Sequence, residues 1–164
     1  MPFFSLLTLA LLGVLQAVFY YPQLPDTVAS HFGANGEANG WSSKQSFFVI
    51  YFFALALVVG IFLLLPALFR RLPASMINLP NKEYWLAPER KEKTLLFLKD
   101  QMNRLGVATL SLLVATVQLA IRANLRPTKQ MSVSTMWILL GAYAVYTGRW
   151  ALSFHRRFQP RRLG

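Results

Sequence analysis

Cysteine is absent from the chain, which removes disulfides, thiolate metal sites and cysteine nucleophiles and leaves the redox compartment unreadable. Acidic residues are scarce: six Asp and Glu stand against 17 Lys and Arg. None of the six lies inside a long apolar run, so a proton relay or ion pathway of the usual kind has no carrier. Histidine occurs only at His31 and, beside Arg156 in the tail, at His155. No Ser-His-Asp order, paired-carboxylate motif, HExxH or phosphate loop is present. There is no repeat and no low-complexity tract. Charge of either sign makes up 14% of the chain, against roughly 25% in an average soluble domain. Those charges are clustered, and 164 residues that are 55% hydrophobic cannot cover so much apolar surface in water.

What is present is a set of long, nearly charge-free segments. Residues 3–21 are broken only by Ser5, Thr8 and Gln16, and about 20 apolar residues cross a bilayer core. A cleaved signal peptide is the rival reading, but Met1-Pro2-Phe3 lacks a basic start and the run ends in Tyr20-Tyr21-Pro22. Residues 46–69 are uncharged throughout, with Pro66 near the end, as membrane helices tolerate. Residues 105–122 and 131–154 supply a third and a fourth span, the last with Arg149 placed to snorkel. The fold class is therefore all-α: one membrane domain over residues 1–164, a bundle of four transmembrane helices with an outer loop, 22–45, and a cytoplasmic loop, 70–104.

Pro88 suits a first helical position and Glu89 the positive end of a helix dipole, with Lys93 four residues on. Leu95, Leu98, Met102 and Leu105 follow at helical spacing. Residues 88–103 read as an amphipathic helix lying on the membrane or leading into the third span; a plain extension of that span into water is the alternative. Thirteen basic residues fall on the side of the loop 70–104 and the tail, among them Arg70, Arg161 and Arg162, and four on the other: Lys44, Arg122, Arg126 and Lys129. The positive-inside rule then puts both termini in the cytoplasm and accounts for the net charge of +11 without nucleic acid, for which no binding motif appears. Tyr20, Tyr21 and Trp41 flank one membrane face, Trp85 and Trp150 the other.

Each span carries a small-xxx-small pair that favours close helix approach: Gly13/Ala17, Ala56/Gly60, Ser111/Ala115 and Ala144/Gly148. Gln16 and Gln118 share faces with two of these pairs. They are expected to face the bundle interior at similar depth, within reach of a mutual hydrogen bond of roughly 1 kcal/mol. The alternative is that each amide bonds a backbone carbonyl or water. In the outer loop, Pro22 and Pro25 stiffen the start, Asp26 is placed to cap a helical turn over residues 28–32, and Gly33, Gly36, Asn39 and Gly40 offer turns.

The order Leu24-Pro25-Asp26, His31-Phe32, Gly36, Trp41, Lys44 before an apolar helix resembles the bacterial family known as domain of unknown function 1648. Residues 78–90, Asn-Leu-Pro-Asn-Lys-Glu-Tyr-Trp-Leu-Ala-Pro-Glu-Arg, resemble a second segment of that family, so the likeness covers roughly residues 20–95. Ala29 stands where the pattern has a proline, and Asn39 where Asp is frequent. The family also forms the first part of SdpI-like membrane proteins, whose members give immunity to a secreted peptide toxin and carry further helices.

The resemblance implies a multi-pass protein of the bacterial cytoplasmic membrane with a non-enzymatic sensing or immunity role. Its outer loop would bind a peptide or small ligand through Asp26, His31, Glu37, Asn39, Trp41 and Lys44. A small transporter or channel subunit, and a membrane enzyme using His31 with Asp26 or Glu37, are the alternatives. His31, Asp26 and Glu37 match no standard metal spacing, and no metal or other cofactor is expected; a loop held by hydrogen bonds from His31 is the plainer reading. Asn81, Tyr84, Trp85, Glu89 and Arg90 form either a cytoplasmic binding surface or an interfacial anchor on anionic lipid. The expected partners are membrane lipid and a peptide or partner membrane protein; the sequence leaves the oligomeric state open.

Overall fold

The structure, a computed structural model, describes residues 2–69 and 71–159. Five helices and one hairpin follow in the order α1 (Pro2–Tyr20), β1 (Thr27–Phe32), β2 (Ala38–Ser43), α2 (Lys44–Phe69), α3 (Lys82–Trp85), α4 (Pro88–Asn124) and α5 (Val133–Phe158). Short 3-10 turns lie at Tyr21–Gln23 and Ala74–Met76. Arg70, Arg161 and Arg162, counted in the charge asymmetry, lie outside the described residues.

Three helices are long and apolar enough to cross a membrane: Phe4–Gln23, Lys44–Phe69 and Pro88–Asn124. They pack as a three-helix unit, α1 and α2 each against α4 and against one another. Leu6, Ala17, Phe48, Tyr51, Leu55, Leu110 and Ile121 are buried among them. Glycine sets two of the close approaches. A Cβ at Gly13 would stand 2.8 Å from the Tyr51 hydroxyl, and one at Gly106 would stand 2.6 Å from Phe62 Cγ. Gly60 and Gly148 behave differently, with nothing within 4 Å of where a side chain would begin. The small pairs of α2 and α5 therefore turn away from the bundle. The outward faces carry Phe4, Leu11, Val18, Phe53, Leu64 and Ile138 in the open. That amount of exposed apolar surface suits lipid and not water.

Two expectations are corrected. Of the readings open for the amphipathic stretch 88–103, a separate helix on the membrane surface falls and continuity with the third span stands: α4 runs without a break for 37 residues, with Pro88 in its first turn and Ala87 as its N-cap. The apolar run begins only at Leu105, but nothing between Pro88 and Leu105 ends a helix, and the amphipathic half has its own core to bury against. Ile77, Leu79, Leu86, Leu95, Leu98 and Phe158 form that core, with Trp85, Phe97 and Phe154 packed on it. The Glu89–Lys93 pair does not form; the ion pairs among the described residues are Lys44–Asp26 and Arg104–Asp100.

The outer loop is the second correction. Asp26 caps no helical turn; residues 27–32 are a strand paired antiparallel with Ala38–Ser43. Thr27 and Val28 favour extended backbone. Gly36, at φ +82°, supplies the reversal that lets the chain return.

Polar contacts run along α5 in a regular sequence. Tyr143 hydroxyl meets Thr109 Oγ1 at 2.9 Å, Tyr146 hydroxyl donates to Arg104 O at 3.3 Å, and Trp150 Nε1 donates to Gln101 O at 3.2 Å. As α5 numbering rises, α4 numbering falls, so the two helices lie antiparallel in register.

Candidate functional site

The hairpin is built on the bundle from its base upward. Lys44, first residue of α2, donates its backbone N–H to Asp26 O at 2.8 Å and pairs its ammonium with the Asp26 carboxylate at 3.1 Å. The same ammonium reaches Leu24 O at 3.3 Å and stands 5.2 Å from the Tyr21 ring centre. Ser43 Oγ accepts the Ser46 N–H at 3.1 Å and so starts α2. The hairpin and the helix therefore share one junction.

The middle of β1 is held by a residue that the sequence alone does not single out. Asn124, the last residue of α4 and 1% exposed, accepts the Ala29 N–H on Oδ1 at 2.7 Å. Its Nδ2 donates to Ala29 O at 2.9 Å and to Ala120 O at 3.0 Å. One side-chain amide thus pairs with the strand as a neighbouring strand would. A proline at position 29 would have no N–H to give, so the clamp needs a residue other than proline there.

The tip docks on the turn between α4 and α5. Met131 N donates to Gly36 O at 2.9 Å, and Glu37 bridges Gln130. Lys129, at φ 49°, donates from its ammonium to Asn124 O and closes the end of α4.

The sequence-expected residues separate into groups. His31 Nδ1 bonds Asn39 Oδ1 across the hairpin, and a Cβ at Gly40 would stand 2.8 Å from His31 Cβ, so the histidine lies over a position that only glycine leaves open. Asp26 and Lys44 form the base pair. Glu37 is exposed at the tip, and its N–H is taken by Asn35 Oδ1 at 3.1 Å. Trp41 stands on the outer face, 53% exposed. Among the described residues no three of His, Asp and Glu come together in a way that would hold a metal ion.

The pairing also fixes which backbone groups are free. Residues facing each other in an antiparallel pair alternate between exchanging hydrogen bonds and turning them outward. Ala29 gives both its groups to Asn124, so Ala29 and its partner Trp41 form an outward-turning pair. The Lys44-to-Asp26 bond at the base fits the same alternation. Trp41 N–H and C=O therefore point away from β1, along the open edge of β2.

Inside the bundle, Gln16 Nε2 donates to Gln118 Oε1 at 2.7 Å and to Val114 O at 3.2 Å, and the Tyr51 hydroxyl donates to Gln16 Oε1 at 2.7 Å. Gln118 Nε2 is buried without a partner among the described residues. A cycle of Gln16→Leu, Gln118→Leu and the double variant, read by reversible unfolding in detergent, is expected to give a coupling of about 1 kcal/mol. Additive losses would show that the two amides act apart. Tyr51 is not among the residues that the sequence singles out; a tyrosine hydroxyl deep in the uncharged run of α2 is the signal that marks it.

At the opposite end of the molecule, Asn81 sits at φ 52° and donates from Nδ2 to Phe158 O at 2.8 Å, capping the end of α5. Trp85 is half-buried in the second core, its carbonyl accepting from Thr94 Oγ1 at 2.9 Å. Tyr84 and Glu89 are exposed, and Glu89 makes no ion pair among the described residues.

Three crossing-length helices, lipid-type outer faces and an ordered hairpin between the first two define a polytopic α-helical membrane protein. Residues 8–55, from early in α1 through the hairpin and into α2, match the family described as Domain of unknown function (DUF1648). The match ends before the segment 78–90. No curated protein and no solved structure matches the chain.

Proposed function

We propose that this protein is a non-enzymatic sensing or immunity-type protein of the bacterial cytoplasmic membrane, which takes an extended peptide on the open edge of β2. The observation that carries this reading is the outward turn of Trp41 N–H and C=O beside an exposed indole, on a hairpin fastened at base, middle and tip. An added strand gains main-chain hydrogen bonds from such an edge and side-chain selectivity from the aromatic beside it. Because Lys44, Asn124 and Met131 already hold the hairpin, little ordering cost remains for the peptide to meet.

In this reading α5 is the fourth span. It lies antiparallel beside the apolar half of α4, so where residues 105–121 enter lipid, the first half of α5 enters with them. Among the described residues ten basic side chains then fall at the end away from the hairpin and four at the hairpin end. That asymmetry supports a hairpin outside and termini in the cytoplasm. The SdpI-like resemblance supports an immunity role.

Deleting the gene is expected to make the cell sensitive to a secreted peptide, and the wild-type copy restores resistance. Trp41→Pro removes the outward N–H while leaving the ladder to β1 intact, because proline is tolerated on that side of an edge strand. Trp41→Ala removes the indole. Both are expected to fail in complementation at unchanged membrane levels. A deletion strain as resistant as its parent would falsify the immunity reading, and full complementation by Trp41→Pro would remove the edge as the site.

A further inference from the structure

The end opposite the hairpin carries an arrangement that the peptide reading leaves unused. Arg90 holds its guanidinium carbon 4.0 Å from the Tyr84 ring centre, and its Nε donates to Tyr84 O at 2.7 Å. Arg157 places its guanidinium 4.6 Å from the Phe97 ring centre and 5.8 Å from that of Trp85. The Tyr84 and Trp85 rings meet edge-to-face at 5.1 Å, and Trp85 meets Phe158 at 5.3 Å. Both guanidiniums are therefore clipped to one continuous aromatic block. Cation–π contact of this kind fixes an arginine by its face and leaves its terminal N–H groups directed outward.

Among the described residues neither arginine has an acidic partner. The ion pairs among the described residues lie elsewhere, at Lys44–Asp26 and Arg104–Asp100. Each pre-set guanidinium fork can grip phosphate oxygens by paired charge-assisted hydrogen bonds, and the two stand on the same aromatic block. Position narrows the source of that phosphate. Phe69, at the end of apolar α2, packs on the same second core as Trp85 and Phe158. The aromatic block thus sits where the crossing part of the molecule stops, at headgroup depth.

We propose that Arg90 and Arg157 form a binding site for the phosphate of an anionic phospholipid on the membrane face opposite the hairpin. Zwitterionic lipid offers the same phosphate with a compensating cation attached, and binds there more weakly. The site is a property of the arginine–aromatic block and does not depend on what the hairpin recognises.

The test is retention of lipid by the full chain in detergent, followed by native mass spectrometry with phosphatidylglycerol or phosphatidylcholine added. The wild type is expected to keep phosphatidylglycerol about tenfold better than phosphatidylcholine, whose choline cation is repelled by the two arginines. Arg90→Gln/Arg157→Gln is expected to abolish the preference. Arg157→Lys keeps the charge but loses the planar fork, and is expected to reduce the preference partway with the fold unchanged by circular dichroism. Arg122→Gln, at the hairpin end, is the control and is expected to leave it intact. Equal loss in Arg122→Gln would overturn the proposal in favour of net charge, and an unchanged preference in the double glutamine variant would overturn it outright. Complete stripping of the lipid by millimolar inorganic phosphate would identify a free-phosphate site instead and also overturn it.

Discussion

Asn124→Leu is expected to destabilise the protein by about 4 kcal/mol, from two buried backbone groups left unpaired at about 2 kcal/mol each. Leucine is close in size to asparagine, so the loss would come from hydrogen bonding rather than from a void. Ala29 is fully buried, and the described residues place no other group to take its N–H and C=O. The measurement is reversible unfolding in detergent, paired with limited proteolysis of the hairpin, which should become cleavable well below the global transition. Asn124→Asp separates the two halves of the clamp. A carboxylate still accepts the Ala29 N–H but offers no donor to Ala29 O, so Asn124→Asp is expected to keep one of the two strand bonds and lose the other. A loss below about 1 kcal/mol for Asn124→Leu would show that Ala29 finds other partners and that the hairpin is held from its two ends alone.

The second large effect is expected at Gly36. Alanine there meets two penalties: a positive φ of 82° that disfavours any Cβ, and a Cβ standing 2.4 Å from Met131 O and 2.8 Å from Val133 Cγ2. Together these are expected to cost about 3 kcal/mol, or to lift the tip from the α4–α5 turn and so lose the Met131-to-Gly36 bond. Gly36→Asn distinguishes the two penalties. Asparagine accepts the left-handed backbone more readily but carries the same Cβ. It should therefore be nearly as damaging as alanine if docking dominates, and much milder if backbone strain does. Hydrogen exchange at Met131 reads the docking directly.

Much of the helical plan is legible in the sequence because lipid imposes a length and a composition on whatever crosses it. The first two crossing helices and the start at Pro88 follow from runs of apolar residues and from proline's fit to a first turn. Gln16 and Gln118 could be placed on inward faces because amides in hydrocarbon need company, and the structure joins them. The hairpin is hidden in the sequence for a local reason. Asp26 after Leu-Pro looks like a cap, and the two irregularities in pairing, at Ala29/His31 and His31/Phe32, break the alternation that marks a strand. Gly40, lying under His31, further hides the pattern. Asn124 shows the deeper limit: its partner is 95 residues away in sequence, and nothing around it hints at a strand. A polar side chain one turn beyond an apolar run is the only sign, and such residues are usually solvated. The change in polarity near Leu105 leaves open in the sequence whether residues 88–103 lie on the membrane or lead into the span; in the structure the helix simply passes from one environment to another.

That passage has a mechanical result. A helix of 37 residues is roughly 55 Å long at about 1.5 Å per residue, nearly twice the thickness of a bilayer's oily interior. One end grips β1 through its terminal amide; the other carries Leu95 and Leu98 into the second core. With no break between them, the strand clamp and the far core are mounted on one rod, so neither can shift along the axis of α4 without the other.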